Sequence, residues 1–97
     1  MEVRRRAPFR TMATVILLYT SPGCPDCAAV RHYLTARGLA FTERDVTAPG
    51  VADEARRTYG VRIAPITVID GEAFWGTFAE QKPKIDARLK SVGGESR

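Results

Sequence analysis

A β-branched and aliphatic run, Thr14 to Tyr19, ends at Thr20-Ser21-Pro22-Gly23, and a helical periodicity starts at once at Pro25. No other feature limits the fold as much. A strand that is apolar at every position is buried on both faces, which calls for a sheet covered on two sides. A strand turning directly into a helix is the building unit of an α/β layer structure. After Pro25, a residue suited to the first helical position, Cys27, Val30 and Leu34 recur at helical spacing, and Gly38 closes the helix at about Arg37. Phe41–Asp45 is expected as a short second strand. A turn with Pro49 and Gly50 follows, then a helix over about Val51–Tyr59, stopped by Gly60.

Pro65–Ile69 is expected as a third strand, with Asp70-Gly71 as a hairpin turn into Ala73-Phe74-Trp75. A last helix carries Ile85 and Leu89 inward. Thr77 and Glu80 have capping-box spacing, but Pro83 places the expected start later, between Glu80 and Pro83. Strands joined through a helix lie parallel and a closing hairpin is antiparallel, so a mixed α/β sheet with helices on both faces is expected. Val30, Leu34, Ile66, Val68 and Leu89 are read as core.

The chain's 97 residues suffice for one domain. Residues 1–12 are expected to be a basic solvated leader, 13–92 the folded domain and 93–97 a tail. Of a formal net charge of +4, the first eleven residues hold +3 through Arg4, Arg5, Arg6 and Arg10 against Glu2. The rest carries 11 basic and 10 acidic side chains, unlike a nucleic-acid face with clustered cations and interleaved aromatics. Binding of nucleic acid through the arginine leader is the weakest functional alternative. No apolar run approaches the ~20 residues of a membrane span. A secretory reading of the leader fails because no small-x-small cleavage site follows Leu18 and cleavage there deletes the best strand. A lipoprotein site at Ser21-Pro22-Gly23-Cys24 lacks the Leu-like residue required where Ser21 stands. A cytoplasmic location is expected.

The chain has 2 cysteines, Cys24 and Cys27, at the strand-to-helix junction. Residues i and i+3 at a helix start lie about 5–6 Å apart on one face, within disulfide range. Cys24 stands just before the helix, where free amides and the positive dipole end favour a thiolate, whereas Cys27 lies in the first turn and is more covered. This is the arrangement of a nucleophilic and a resolving thiol. Zinc needs four ligands, and the pair supplies two; His32, the single histidine, lies about 140° round the helix from Cys27. A metal would need a second chain, so an iron–sulfur or zinc carrier built as a homodimer stands as the alternative from another class. An inert structural bridge is disfavoured because so small a loop constrains the unfolded chain little.

The first strand, Cys24-Pro25-Asp26-Cys27, the strand begun by Pro65 and the hairpin resemble the glutaredoxin branch of the thioredoxin superfamily over residues 13 to 91. The resemblance implies a four-stranded mixed sheet flanked by three helices, a cis peptide before Pro65, and an Ala64 backbone that pairs with an extended substrate segment. A plain strand-initiating proline is the other reading of Pro65. Glutathione-using glutaredoxins carry a lysine three before the first cysteine, Tyr in the motif, Thr-Val-Pro, and Gly-Gly followed by an acid. This chain has Ser21, Asp26, Ile63-Ala64-Pro65 and Trp75-Gly76-Thr77-Phe78-Ala79.

Gly60-Val61-Arg62-Ile63-Ala64-Pro65 and Trp75-Gly76-Thr77-Phe78 look like the NrdH-redoxin pattern, with departures at C-P-D-C for C-V/M-Q-C and W-G-T-F for W-S-G-F. That likeness implies reduction by thioredoxin reductase and electron donation to ribonucleotide reductase. Reduction by glutathione or another small thiol is the alternative. No bound cofactor is required, and a monomer is expected. The candidate substrate contacts are Pro25, Asp26, Arg62, Ala64, Pro65 and Trp75. Asp26 is either a first-turn carboxylate favouring the helix dipole or a charge opposing the Cys24 thiolate. Arg62 either stabilises a thiolate or a partner's carboxylate, or is a solvated strand-edge side chain. Trp75 either lids the hairpin or docks a partner.

Overall fold

The computed structural model describes residues 14–95, with side chains through Lys90; the leader expected over 1–12 lies outside the described residues. The elements are β1 (Ile16–Thr20), α1 (Pro25–Ala36), β2 (Thr42–Asp45), α2 (Val51–Tyr59), β3 (Ile66–Ile69), β4 (Glu72–Trp75) and α3 (Phe78–Glu95). They build a four-stranded sheet in the order β2-β1-β3-β4. β1 and β2 are parallel, and the other two pairings are antiparallel, as the helix-linked and hairpin-linked connections require. The expected mixed sheet with three flanking helices is the one observed.

The register sorts side chains by face. Ile16, Leu18 and Ile69 meet Val30 and Leu34 of α1 and Ile85 of α3, with Phe74, Phe78 and Leu89 packed at the margin. On the reverse face Tyr19, Ile66 and Val68 meet Val51 and Ala55 of α2. Both faces of β1 are therefore covered, which is why its sequence shows no polar alternation. Val30, Leu34 and Ile66 are fully buried and Val68 nearly so, as expected of core positions. The reverse face is edged by a polar link: the Tyr19 hydroxyl donates to Glu54 at 2.6 Å, and Arg44 pairs with the same carboxylate.

β1 starts two residues later than its apolar run. Val15 is 68% exposed, yet its backbone is tied to the hairpin turn: its N–H donates to Asp70 Oδ1 and its carbonyl accepts the Asp70 N–H, each at 2.9 Å. Apolar β-branched residues here mark the approach to the strand rather than burial.

α3 corrects the expected start between Glu80 and Pro83; it begins at Phe78. The capping box forms in both directions, with the Thr77 N–H donating to Glu80 Oε1 at 2.9 Å and the Glu80 N–H donating to Thr77 Oγ1 at 3.1 Å. Pro83 stands exposed inside the helix and removes one backbone donor, which the cap and the buried stripe Gln81–Ile85 offset. At the other end, helical backbone continues to Glu95, past the boundary expected at 92, since propagation adds one hydrogen bond per residue once a packed turn exists. Tyr33 of α1 donates to Asp86 of α3, and Arg37 pairs with the same carboxylate at 3.0 Å, so the two helices are joined at their exposed margin. Among the described residues, no helix is long and apolar enough to cross a membrane.

Candidate functional site

The turn Thr20–Gly23 hands β1 to α1, and Gly23 takes the left-handed conformation (φ +70°) that a side chain would resist. Cys24 is the N-cap of α1, with extended backbone angles, and Pro25 takes the first helical position. Cys24 Sγ accepts the Cys27 N–H at 3.1 Å, using one of the amides a helix start leaves unpaired. Cys24 and Cys27 are joined as a disulfide with a Cα–Cα distance of 5.2 Å, as the i, i+3 spacing allows. Cys24 is half-buried, whereas Cys27 is 1% exposed and belongs to the core. The asymmetry inferred from sequence, one thiol at the rim and one behind it, is present. His32 is exposed, as expected.

Beside this turn lies a groove of about 630 Å³ between the Gly60–Pro65 segment and the β4–α3 turn. It gathers Asp26, Arg62, Ala64, Pro65 and Trp75, five of the six residues picked as substrate contacts. The sixth, Pro25, and Cys24 itself line a separate hollow with Ser21 and Arg31. The Ala64–Pro65 peptide is cis, and Pro65 is buried. Trp75 is 52% exposed and Ile63, one residue before Ala64, is 74% exposed, so the groove offers two large apolar surfaces to solvent. Trp75 leaves half its surface to solvent over the groove.

Asp26 has a partner that neither sequence reading foresaw. Its Oδ1 accepts the Phe78 N–H at 3.1 Å, so a carboxylate from the first turn of α1 sits on the first amide of α3. That amide is unpaired within its own helix, and the dipole end there favours an anion. Arg62 is exposed on the groove's opposite wall. Among the described residues, the groove lining carries one cation, Arg62, against the carboxylates of Asp26 and Glu80.

Gly76 closes the turn at φ +109°, and a Cβ there would run into the Glu80 carboxylate that caps α3. Sequence reasoning missed Ile63, Glu80 as a groove residue, and Gln81. Gln81 is fully buried and bonds Pro65, Thr67 and Gly76. Its signal was present: 81, 85 and 89 recur every four residues, which places Gln81 on the buried stripe of α3.

The glutaredoxin family's sequence profile matches residues 16–74, from the start of β1 into β4. The chain is 37% identical over 65 residues to the Gene 56 protein of Mycobacterium phage L5, covering 66% of this chain and 63% of that relative's length. Among solved structures, it is similar to the thioredoxin-like protein BC3987 (33% identity, TM-score 0.62, 71% of this chain and 96% of the other). It is also similar to the glutaredoxin-like protein NrdH-redoxin from Escherichia coli, described as having a thioredoxin-like activity profile (30% identity, TM-score 0.56, 66% and 83%). A profile match spanning most of the described sheet, with the dithiol turn inside it, establishes that the chain belongs to the glutaredoxin family.

Proposed function

We propose that this protein is a thiol–disulfide oxidoreductase that reduces disulfides in protein substrates, with Cys24 as nucleophile and Cys27 as resolving thiol. The observation that carries the reading is the placement of Cys24 Sγ on the Cys27 amide at the start of α1, with Cys27 buried behind it. An amide and a helix dipole directed at sulfur favour the thiolate, which is the attacking species. In the reduced protein the Cys24 thiolate attacks one sulfur of the target disulfide, and the other sulfur leaves as a thiolate that takes up a proton. Cys27 then loses its proton and attacks Cys24 Sγ in the mixed disulfide, releasing the second target thiol. The target gains two electrons and two protons, and Cys24 and Cys27 end joined, the state the structure holds.

The groove beside the dithiol favours a polypeptide over glutathione. Glutathione brings two carboxylates, and the lining offers Arg62 as cation against Asp26 and Glu80. Exposed Ile63 and Trp75 suit apolar side chains of an extended segment running along Ala64. This supports an NrdH-redoxin-like role, in which thioredoxin reductase returns two electrons from NADPH and ribonucleotide reductase is the first target to examine.

NADPH-driven disulfide reduction, comparing thioredoxin reductase with glutathione plus its reductase, tests the assignment. Turnover with thioredoxin reductase alone, abolished in Cys24→Ser and Cys27→Ser, is the expected result. Turnover with glutathione that survives Cys27→Ser overturns it in favour of a monothiol-capable glutaredoxin. Activity with neither donor, together with visible absorbance of the fresh protein, points to a cluster carrier.

A further inference from the structure

Gln81 lies behind the groove, not in it. At the fourth position of α3 its side chain is fully buried, and its amide is bonded at both ends. Nε2 donates to the Pro65 carbonyl at 2.9 Å and the Gly76 carbonyl at 3.0 Å, while Oε1 accepts the Thr67 hydroxyl at 2.6 Å. Pro65 and Gly76 both line the groove, one on the strand-entering segment and one on the β4–α3 turn. The β3–β4 register reaches Ile66 opposite Trp75, so Pro65 and Gly76 stand just beyond it. Two carbonyls cannot bond one another; a primary amide with two N–H groups satisfies both. One buried side chain thus bridges the two walls of the groove from the rear.

We propose that Gln81 is a positioning residue for protein substrates: it holds the Ala64–Pro65 edge at the separation from the Trp75–Gly76 wall that an extended chain needs. This rests on the disulfide-reductase reading above and adds a residue to it. Gln81 makes no hydrogen bond to either cysteine. Its loss therefore weakens docking of a polypeptide while leaving attack on a small disulfide intact.

The test uses single turnovers of protein reduced beforehand with dithiothreitol and freed from it. The half-saturating substrate concentration stands for KM and the limiting rate for kcat. Insulin is the polypeptide disulfide and dithiobis-nitrobenzoate the small aromatic disulfide. In Gln81→Leu, which removes both bonds to the groove carbonyls, the KM for insulin is expected to rise about tenfold. The kcat for insulin and the rate with the small disulfide are expected to stay within about twofold of wild type. Thr67→Val is the structural comparator. It orphans Oε1 and lowers stability, but keeps both bonds to the groove carbonyls, so its KM is expected to stay within about twofold.

An unchanged KM in Gln81→Leu, equal losses with both disulfides, or a Thr67→Val KM raised as far as that of Gln81→Leu overturns the proposal. If Gln81→Leu does not fold, Gln81→Met reads the same split, since it keeps the unbranched length of the side chain and carries no donor for the two carbonyls. Wild-type protein that reduces the small disulfide but not insulin removes the protein-substrate reading itself, whatever the variants do, and this inference with it.

Discussion

Replacing Asp26 by asparagine removes one negative charge from the dithiol turn while keeping an acceptor for the Phe78 amide. Two consequences separate. Asp26 lies two residues from Cys24 in the first turn of α1, near enough for its carboxylate to repel a Cys24 thiolate through partly solvated surroundings. The Phe78 N–H and the α3 dipole offset part of it, so the substitution is expected to lower the Cys24 thiol pKa. Meanwhile the charge-assisted contact to α3 weakens, at a cost of about 0.5–1 kcal/mol, or ~3–6 °C in Tm for a domain of this size. Thiolate absorbance near 240 nm against pH on the reduced protein, paired with thermal unfolding, reads both. A Cys24 pKa that stays put or rises refutes the electrostatic reasoning. An unaltered Tm refutes the link to α3.

Other expectations follow from the same contacts. Leu34→Ala, opening a cavity between α1 and the sheet at a fully buried position, should cost about 2–5 kcal/mol in denaturant unfolding; a loss below ~1 kcal/mol contradicts the assigned core. Thr77→Ala removes the side-chain half of the α3 capping box and should lower stability by about 1 kcal/mol, with Thr77→Ser restoring most of it. Acid should destabilise the fold. The Tyr33 hydroxyl, then Lys82 and Arg37, hold the Asp86 carboxyl below the usual range, and Arg31 does the same for Glu43. The unfolded chain therefore binds protons first, so stability present above the ordinary carboxylate pKa of ~4 is lost as pH falls through the depressed values. Tm followed from pH 7 to pH 3 should fall below about pH 4, less steeply in Asp86→Asn; a Tm that climbs on acidification contradicts these pairings.

The sheet was legible because its apolar residues report burial directly. Leu18 and Tyr19 point to opposite faces and are both covered, so an unbroken apolar strand could mean little else. The dithiol turn was legible because two cysteines at a strand–helix junction have few uses. What escaped was polar and long-range. By sequence Asp26 relates only to its own helix and the adjacent cysteines, yet its partner is an amide 52 residues away. Pro83 argues locally for a later start of α3, but the Thr77–Glu80 cap, bonded in both directions, outweighs the loss of one backbone donor. Gln81 reads as surface by residue type, and only its place in the stripe with Ile85 argues otherwise.

In the proposed reaction Cys24 attacks and Cys27 resolves. Reduced Cys27→Ser protein, incubated with a disulfide-containing protein, would trap the adduct for mapping by mass spectrometry. The expected product is a mixed disulfide through Cys24, absent from Cys24→Ser and resolved by the intact dithiol. An adduct formed through Cys27 in the Cys24→Ser protein, with none through Cys24, would contradict it.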